Sequence, residues 1–230
     1  MIAIIPARAG SRRIPQKNIR SFFGVPILAH TIEEVHKSNL FDLIAVSTED
    51  EEISKIASGA GAKVLLRDPK LADDFTTTVD VIASATAQLG NLINIQKEIV
   101  CCVYPVTPKL NKEYLLNARQ ILEKEELDYV FTAKRFQSSP ARALKRGEDG
   151  RSEMQNPENM NVRTQDLPEL FHDAALFYMG KAQAWIDKKP ILNGNSKFLE
   201  IGKFETHDVD DEQDWQMMID LYTLRQKAHE

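Results

Sequence analysis

Cysteine is nearly absent from this chain: two occur in 230 residues, Cys101 and Cys102, side by side in the apolar run EIVCCVY. Neighbours on a strand point to opposite faces, so a bridge between them is not expected and the role of buried small hydrophobes is. The five histidines have no H-x-x-x-H spacing and no cysteine partners, which argues against zinc. No apolar run approaches the roughly 18 residues of a membrane span, and Pro6 interrupts the opening strand, so neither a span nor a signal peptide is expected. An excess of basic charge is also missing. The net charge of −5 argues against a nucleic-acid partner. Neither the Walker pattern nor G-x-G-x-x-G occurs, which disfavours a P-loop ATPase and a dinucleotide site. With nothing pointing to an oxidising compartment or a membrane, the expected location is cytoplasmic.

What is present is an ordinary globular composition, 43% hydrophobic and 27% charged, of a length that suits one domain over 1–230. Met1 to Ile5 is an unbroken apolar run, the pattern of a strand buried on both faces. Further strands are expected at 43–47, 64–66, 99–104, 129–133, 174–179 and 198–201. Helices are expected from Pro26, over 50–58 with Thr48 and Glu51 as a capping pair, and over 78–89, 112–124, 181–188 and 211–227. Strand and helix alternate through the first 135 residues, which predicts an α/β fold: a mostly parallel, doubly wound sheet with helices on both faces. From about 136 to 172 the periodicity fails. Structureless loops of that length are unusual, so the stretch reads as an inserted arm or hairpin docking on a second subunit.

The chemistry concentrates in the opening loop. Arg8, Arg12, Arg13 and Lys17 surround the small residues Ala9, Gly10 and Ser11 directly after the first strand. Small residues let backbone N–H groups approach an anion, and strand ends are where open α/β sheets bind ligands, so the loop reads as a polyphosphate cradle. Near the other end, Asp208 and Asp210 are separated by one residue. They share a face if extended, and a divalent cation is one reason to hold two carboxylates together; an acidic helix entry is the other. Arg67 reads equally as a ligand contact or a surface ion pair. Of Thr76, Thr77 and Thr78, one is explained by capping the following helix. His172-Asp173 is too common a pair to signify catalysis.

Taken in order, the run from Ala7 to Asn18 (ARAGSRRIPQKN), Val46-Ser47-Thr48, Arg67 to Asp74 and Asp208-Val209-Asp210 resemble the motifs of the cytidylyltransferases that activate nonulosonic acids, nine-carbon 2-keto sugar acids. Glu49 departs from that pattern, where Asp is more frequent. Cys101 to Pro105, Asn161 to Leu167 and His172 to Ala174 are similar to the pseudaminic acid branch, Tyr104 standing where sialic acid enzymes typically have Gln. The resemblance implies a Rossmann-like nucleotide-sugar transferase fold with seven strands, a homodimer made through the 136–172 arm, and transfer of CMP from CTP to the sugar acid with Mg²⁺. It implies catalytic roles for Arg8, Lys17, Asp208 and Asp210, the two aspartates holding the metal. Ala7, Gly10, Ser11, Asn18, Arg67 and Thr78 would bind the nucleotide. Tyr104, Arg163, Gln165, His172 and Asp173 would line the sugar pocket. Sister enzymes acting on sialic, legionaminic or octulosonic acid, and a module that binds CTP without turning it over, are the alternatives.

Overall fold

The computed structural model describes residues 1–11, 13–192, 194–205 and 208–227. In chain order, β1 (Ile2–Pro6) leads through the basic loop into a short ribbon of β2 (Ser21–Phe22) and β3 (Val25–Pro26), then α1 (Ile27–Ser38). Next come β4 (Leu43–Thr48), α2 (Glu51–Gly59), β5 (Lys63–Leu66), α3 (Thr78–Gly90), β6 (Ile99–Val103), α4 (Lys112–Lys124) and β7 (Tyr129–Arg135). The arm contributes the hairpin of β8 (Leu144–Arg146) and β9 (Ser152–Met154) between 3-10 turns. Then β10 (Phe171–Lys181), α5 (Ala182–Ile186), β11 (Ser196–Glu200) and α6 (Glu212–Lys227) complete the order.

Seven strands form one sheet in the order β11-β7-β10-β6-β1-β4-β5. The pairings β1–β4, β1–β6, β4–β5 and β11–β7 are parallel, while β10 runs antiparallel to both β6 and β7. Alternation along β1 divides the core. Ala3 and Ile5 pack with α1, α2 and α4 through Leu28, Ile32, Ile53 and Leu115. Ile2 and Ile4 pack with α3 and α5 through Ile82, Leu89 and Trp185. Helices therefore cover both faces, as the continuous apolar strands require. A third, smaller cluster joins Ile14, Phe22 and Ile27 to Val209, Trp215 and Met218, so the basic loop and the last helix share a core of their own.

Two local expectations need correction, and one is made specific. Asp50 caps α2, its Oδ1 accepting from the Ile53 N–H at 2.8 Å, while Thr48 Oγ1 accepts from the Asp50 N–H; Glu51 is the first helical residue. The strand expected at 174–179 begins at Phe171, so His172 and Asp173 lie on β10. Its register against β7 slips between Asp173 and Tyr178, with Ala175 at φ 47°. Of the three threonines, Thr77 is the one that caps α3, accepting from the Asp80 N–H.

Candidate active site

Pro6 is the last residue of β1, and after Ala7 the chain turns out over the carboxyl end of the sheet. The turn is pinned from inside. The buried Asn18 donates through Nδ2 to the Arg8 carbonyl at 2.9 Å, and Ala9 N–H donates to Glu49 Oε1 at 3.0 Å. Lys17 Nζ donates to the Val209 carbonyl at 2.6 Å, Arg13 pairs with Asp210 at 2.6 Å and Arg20 with Glu212 at 2.7 Å. Arg20 also lies over the Trp215 ring, 4.6 Å from its centroid. Packing of Ile14 against Val209 brings these partners together across nearly 200 residues, and the charges then seal the seam.

The result is a cleft of about 230 Å³ whose walls include Arg8, Ser11, Lys17, Asn18, Arg67, Thr78, Tyr104 and Asp208. The loop after β5 supplies the opposite lip with Leu71, Asp73, Asp74 and Thr76. Arg8 reaches across to it, donating to Asp74 Oδ1 at 2.6 Å and to the Asp73 carbonyl at 3.3 Å. Arg67 is buried, donating to the Ser47 carbonyl at 2.7 Å with Glu49 3.8 Å away. Burial lowers the pKa of its guanidinium, and Glu49 opposes the shift. Burial also lowers the pKa of the Lys17 ammonium, while Asp208 and then Asp210 pull it back up. The Asp208 carboxyl moves the other way, raised first by burial and next by the charge of Asp210.

The expected residues divide into two groups. Eight line this one cleft, as named above. Ala7 is buried beneath the loop, its N–H extending the β1–β4 ladder to the Ser47 carbonyl, and Gly10 is exposed on the loop. Arg12 lies outside the described residues. Asp210 is turned to Arg13 on the outer side of the seam. Arg163 pairs with Asp166 on the arm, Gln165 is exposed beside it, and His172 stacks near Phe136 with ring centroids 5.0 Å apart. These three do not line the cleft. A stretch without apolar period carries no signal for which way its side chains turn. Asp173 is also outside the walls, although Tyr178 donates to its carboxylate and touches Tyr104, which does line them. The sequence reading assigned no role to Asp73, Asp74 or Tyr178. The first two followed Arg67 in a quoted motif; Tyr178 had no signal beyond an apolar strand.

Among the described residues no group of three or more His, Cys, Asp or Glu converges. Asp208 lines the cleft without accepting a hydrogen bond from any described residue, and Asp210 adds a second carboxylate two residues on. That fits Mg²⁺, which takes oxygen ligands, often one or two carboxylates, and completes its shell with water and substrate phosphates.

Comparison with known proteins agrees with this geometry. Residues 2–229 match the family described as Cytidylyltransferase. A pseudaminic acid cytidylyltransferase of Campylobacter jejuni (strain 81-176) is 36% identical over 234 residues, covering 99% of this chain and 98% of that protein. A Helicobacter pylori protein, described as a pseudaminic acid cytidylyltransferase and UDP-2,4-diacetamido-2,4,6-trideoxy-beta-L-altropyranose hydrolase, is 41% identical over 210 residues. That match covers 90% of this chain, and the chain spans 40% of the length of that relative. Among solved structures, a CMP:2-keto-3-deoxy-manno-octonic acid synthetase complexed with CTP superposes with a TM-score of 0.71 over 97% of this chain and 98% of the other. At 15% identity that likeness concerns the fold. Since the match runs from the first strand into the last helix, the chain belongs to the cytidylyltransferase family.

Proposed function

We propose that this protein transfers CMP from CTP to the anomeric hydroxyl of a nonulosonic acid, pseudaminic acid before its relatives, releasing pyrophosphate. The observation that carries the reading is the meeting of Arg8, Lys17 and Asp208 on one cleft, within a chain whose relatives named for pseudaminic acid are 36% and 41% identical to it. In the transfer, the sugar hydroxyl oxygen gives up its proton to solvent and forms a bond to the α-phosphorus as the bond from that phosphorus to the bridging oxygen breaks, releasing pyrophosphate. Such chemistry is mostly positioning and neutralisation of charge. Lys17, fixed by Val209, and Arg8, once its guanidinium exchanges Asp74 for phosphate, stand where the growing negative charge of pyrophosphate would be met. The Ser11 hydroxyl and the loop amides add donors. Asp208, with Asp210 once Arg13 yields it, would hold Mg²⁺, which neutralises phosphate oxygens when bound. Arg67 and Thr78 would flank the base, and Tyr104 the sugar.

A pyrophosphate-release assay with CTP, Mg²⁺ and purified sugar acids tests the proposal. Release is expected with pseudaminic acid. Release with sialic acid alone would move the assignment to a sister enzyme, and CTP binding without release from any sugar would favour the sensor.

The proposed assembly is a cytoplasmic homodimer made through the 136–172 arm. Phe136, Leu144, Met160 and Leu170 on the arm are exposed, as is Phe198 on the edge strand β11. An apolar surface on and around an edge strand favours a partner. Deleting 140–166 should shift the protein from dimer to monomer in size-exclusion chromatography; a dimer surviving the deletion would assign the arm another role.

A further inference from the structure

The lip of the cleft carries two neighbouring carboxylates with different duties. Asp73 builds the turn: its Oδ1 accepts from the Phe75 N–H at 2.9 Å, the Thr76 N–H at 2.6 Å and the Thr76 hydroxyl at 2.7 Å. Asp74 meets the basic loop instead, its Oδ1 accepting from Arg8 Nη1 at 2.6 Å. The same nitrogen donates to the Asp73 carbonyl at 3.3 Å, with the Ala72 carbonyl 3.5 Å away. One guanidinium nitrogen therefore joins the loop after β1 to the loop after β5, and Arg8, Asp73 and Asp74 all line the cleft.

This contact occupies the group that a triphosphate needs. Carboxylate and phosphate oxygens are both anionic acceptors, and a guanidinium donates to either in the same way. Arg8 cannot serve both fully. A ligand that needs Arg8 therefore binds more weakly by the fraction of protein in which Asp74 holds it. The side chains of Arg8 and Asp74 are 34% and 27% exposed, so water screens the pair and leaves it exchangeable. After transfer the competition runs the other way. As pyrophosphate leaves Arg8, the Asp74 carboxylate is at hand to take its place.

We propose that Asp74 is a positioning residue acting through Arg8: it holds the guanidinium until phosphate displaces it, and reclaims it as pyrophosphate departs. The inference rests on the reading that the cleft takes the triphosphate of CTP. It gives this carboxylate a sign opposite to that of a binding residue, because removing it tightens the hold on nucleotide and product. A general negative field at the lip would give Asp73 the same sign. Competition for Arg8 Nη1 singles out Asp74, since the Asp73 carboxylate is engaged by Phe75 and Thr76.

Asp74→Asn removes the charge, and Asp74→Ser also shortens the side chain, should the amide oxygen still accept from Arg8. Asp73→Asn is the control, removing the same charge from the same lip while keeping the oxygen on which the turn is built. Binding of inorganic pyrophosphate and of CTP is measured by calorimetry in Mg²⁺ buffer. Inhibition of turnover by pyrophosphate and melting temperatures are measured alongside. In Asp74→Ser both dissociation constants should fall about threefold or more, the size expected of a screened ion pair. The inhibition constant of pyrophosphate should fall with them, and Asp73→Asn should stay within about twofold of wild type. Asp74 variants that bind pyrophosphate no tighter than wild type overturn the proposal, as does equal tightening in Asp73→Asn. So does a joint loss of affinity and melting temperature in both Asp74 variants, the behaviour of a residue that merely shapes its loop. Wild-type protein that fails to bind CTP sinks the functional reading and this inference together; wild-type binding with indifferent variants sinks the inference alone.

Discussion

Lys17→Ala should leave a folded protein whose turnover in the pyrophosphate-release assay is about 10²–10³-fold below wild type, the usual cost of deleting one charged donor aimed at a developing anion. The reason lies in how the side chain is held. Its ammonium donates to the Val209 carbonyl at 2.6 Å and lines the cleft, so its position is set before any ligand arrives. Burial has already removed part of its water, which strengthens its attraction for phosphate. The same burial lowers its pKa, so the cation is lost on raising the pH earlier than for an exposed lysine. The alkaline limb of kcat/KM should fall below the range of an ordinary lysine, and Lys17→Arg should push that limb upward even where it lowers the maximum. Turnover of Lys17→Ala within a few-fold of wild type would refute the role.

Asp208→Asn should do two opposite things at once, lowering turnover by about 10²-fold or more and raising the melting temperature. The first follows from losing the Asp208 carboxylate from the cleft wall, where a metal-bound triphosphate would sit. The second follows from the direction of its pKa. Burial and the Asp210 charge raise the folded-state value above that of the unfolded chain, so the folded protein holds this proton more tightly. Ionised Asp208 thus costs stability above its folded pKa. The cost fades as the pH falls through that value towards the unfolded one. The amide removes it at neutral pH; because Asp208 is open to solvent on the cleft wall, screening keeps the gain small. Thermal melts of wild type and variant at pH 7 and pH 4 check the sign: the gap should shrink at the lower pH. An Asp208→Asn variant that melts below wild type at pH 7 would contradict the electrostatic account.

Most of the sheet could be read from the sequence because its strands are apolar on both faces, a pattern with few alternatives. The direction of β10 could not. AALFYM reads identically whichever way it runs, and the choice is made by a connection of 35 residues, from Arg135 to Phe171, that carries no periodic signal. The cap of α2 failed for a smaller reason: Thr48 and Asp50 are both good caps, and the backbone turns extended at Asp50, φ −97° and ψ 135°. Within the site, the opening cations and the tail carboxylates were legible by charge, and their union rests on Ile14 and Val209, two apolar residues with nothing in local sequence to pair them. Arg163, Gln165 and His172 show the converse. Their motif likeness is clear, yet side-chain direction in an arm depends on what the arm touches. Tyr178 was invisible because a buried tyrosine on a strand looks like any other aromatic core residue until its hydroxyl is located.

The satellite core of Ile14, Phe22, Ile27, Val209, Trp215 and Met218 has a consequence for synthesis. All seven sheet strands have been made by Glu200, but the patch that seats Asp208 and clasps Lys17 needs residues that leave the ribosome later. Domains fold largely as units while the chain is still growing, and contacts between distant positions close last. A nascent chain stalled shortly after β11 would therefore own every strand of the sheet and still be catalytically mute, its competence arriving only with the final helix.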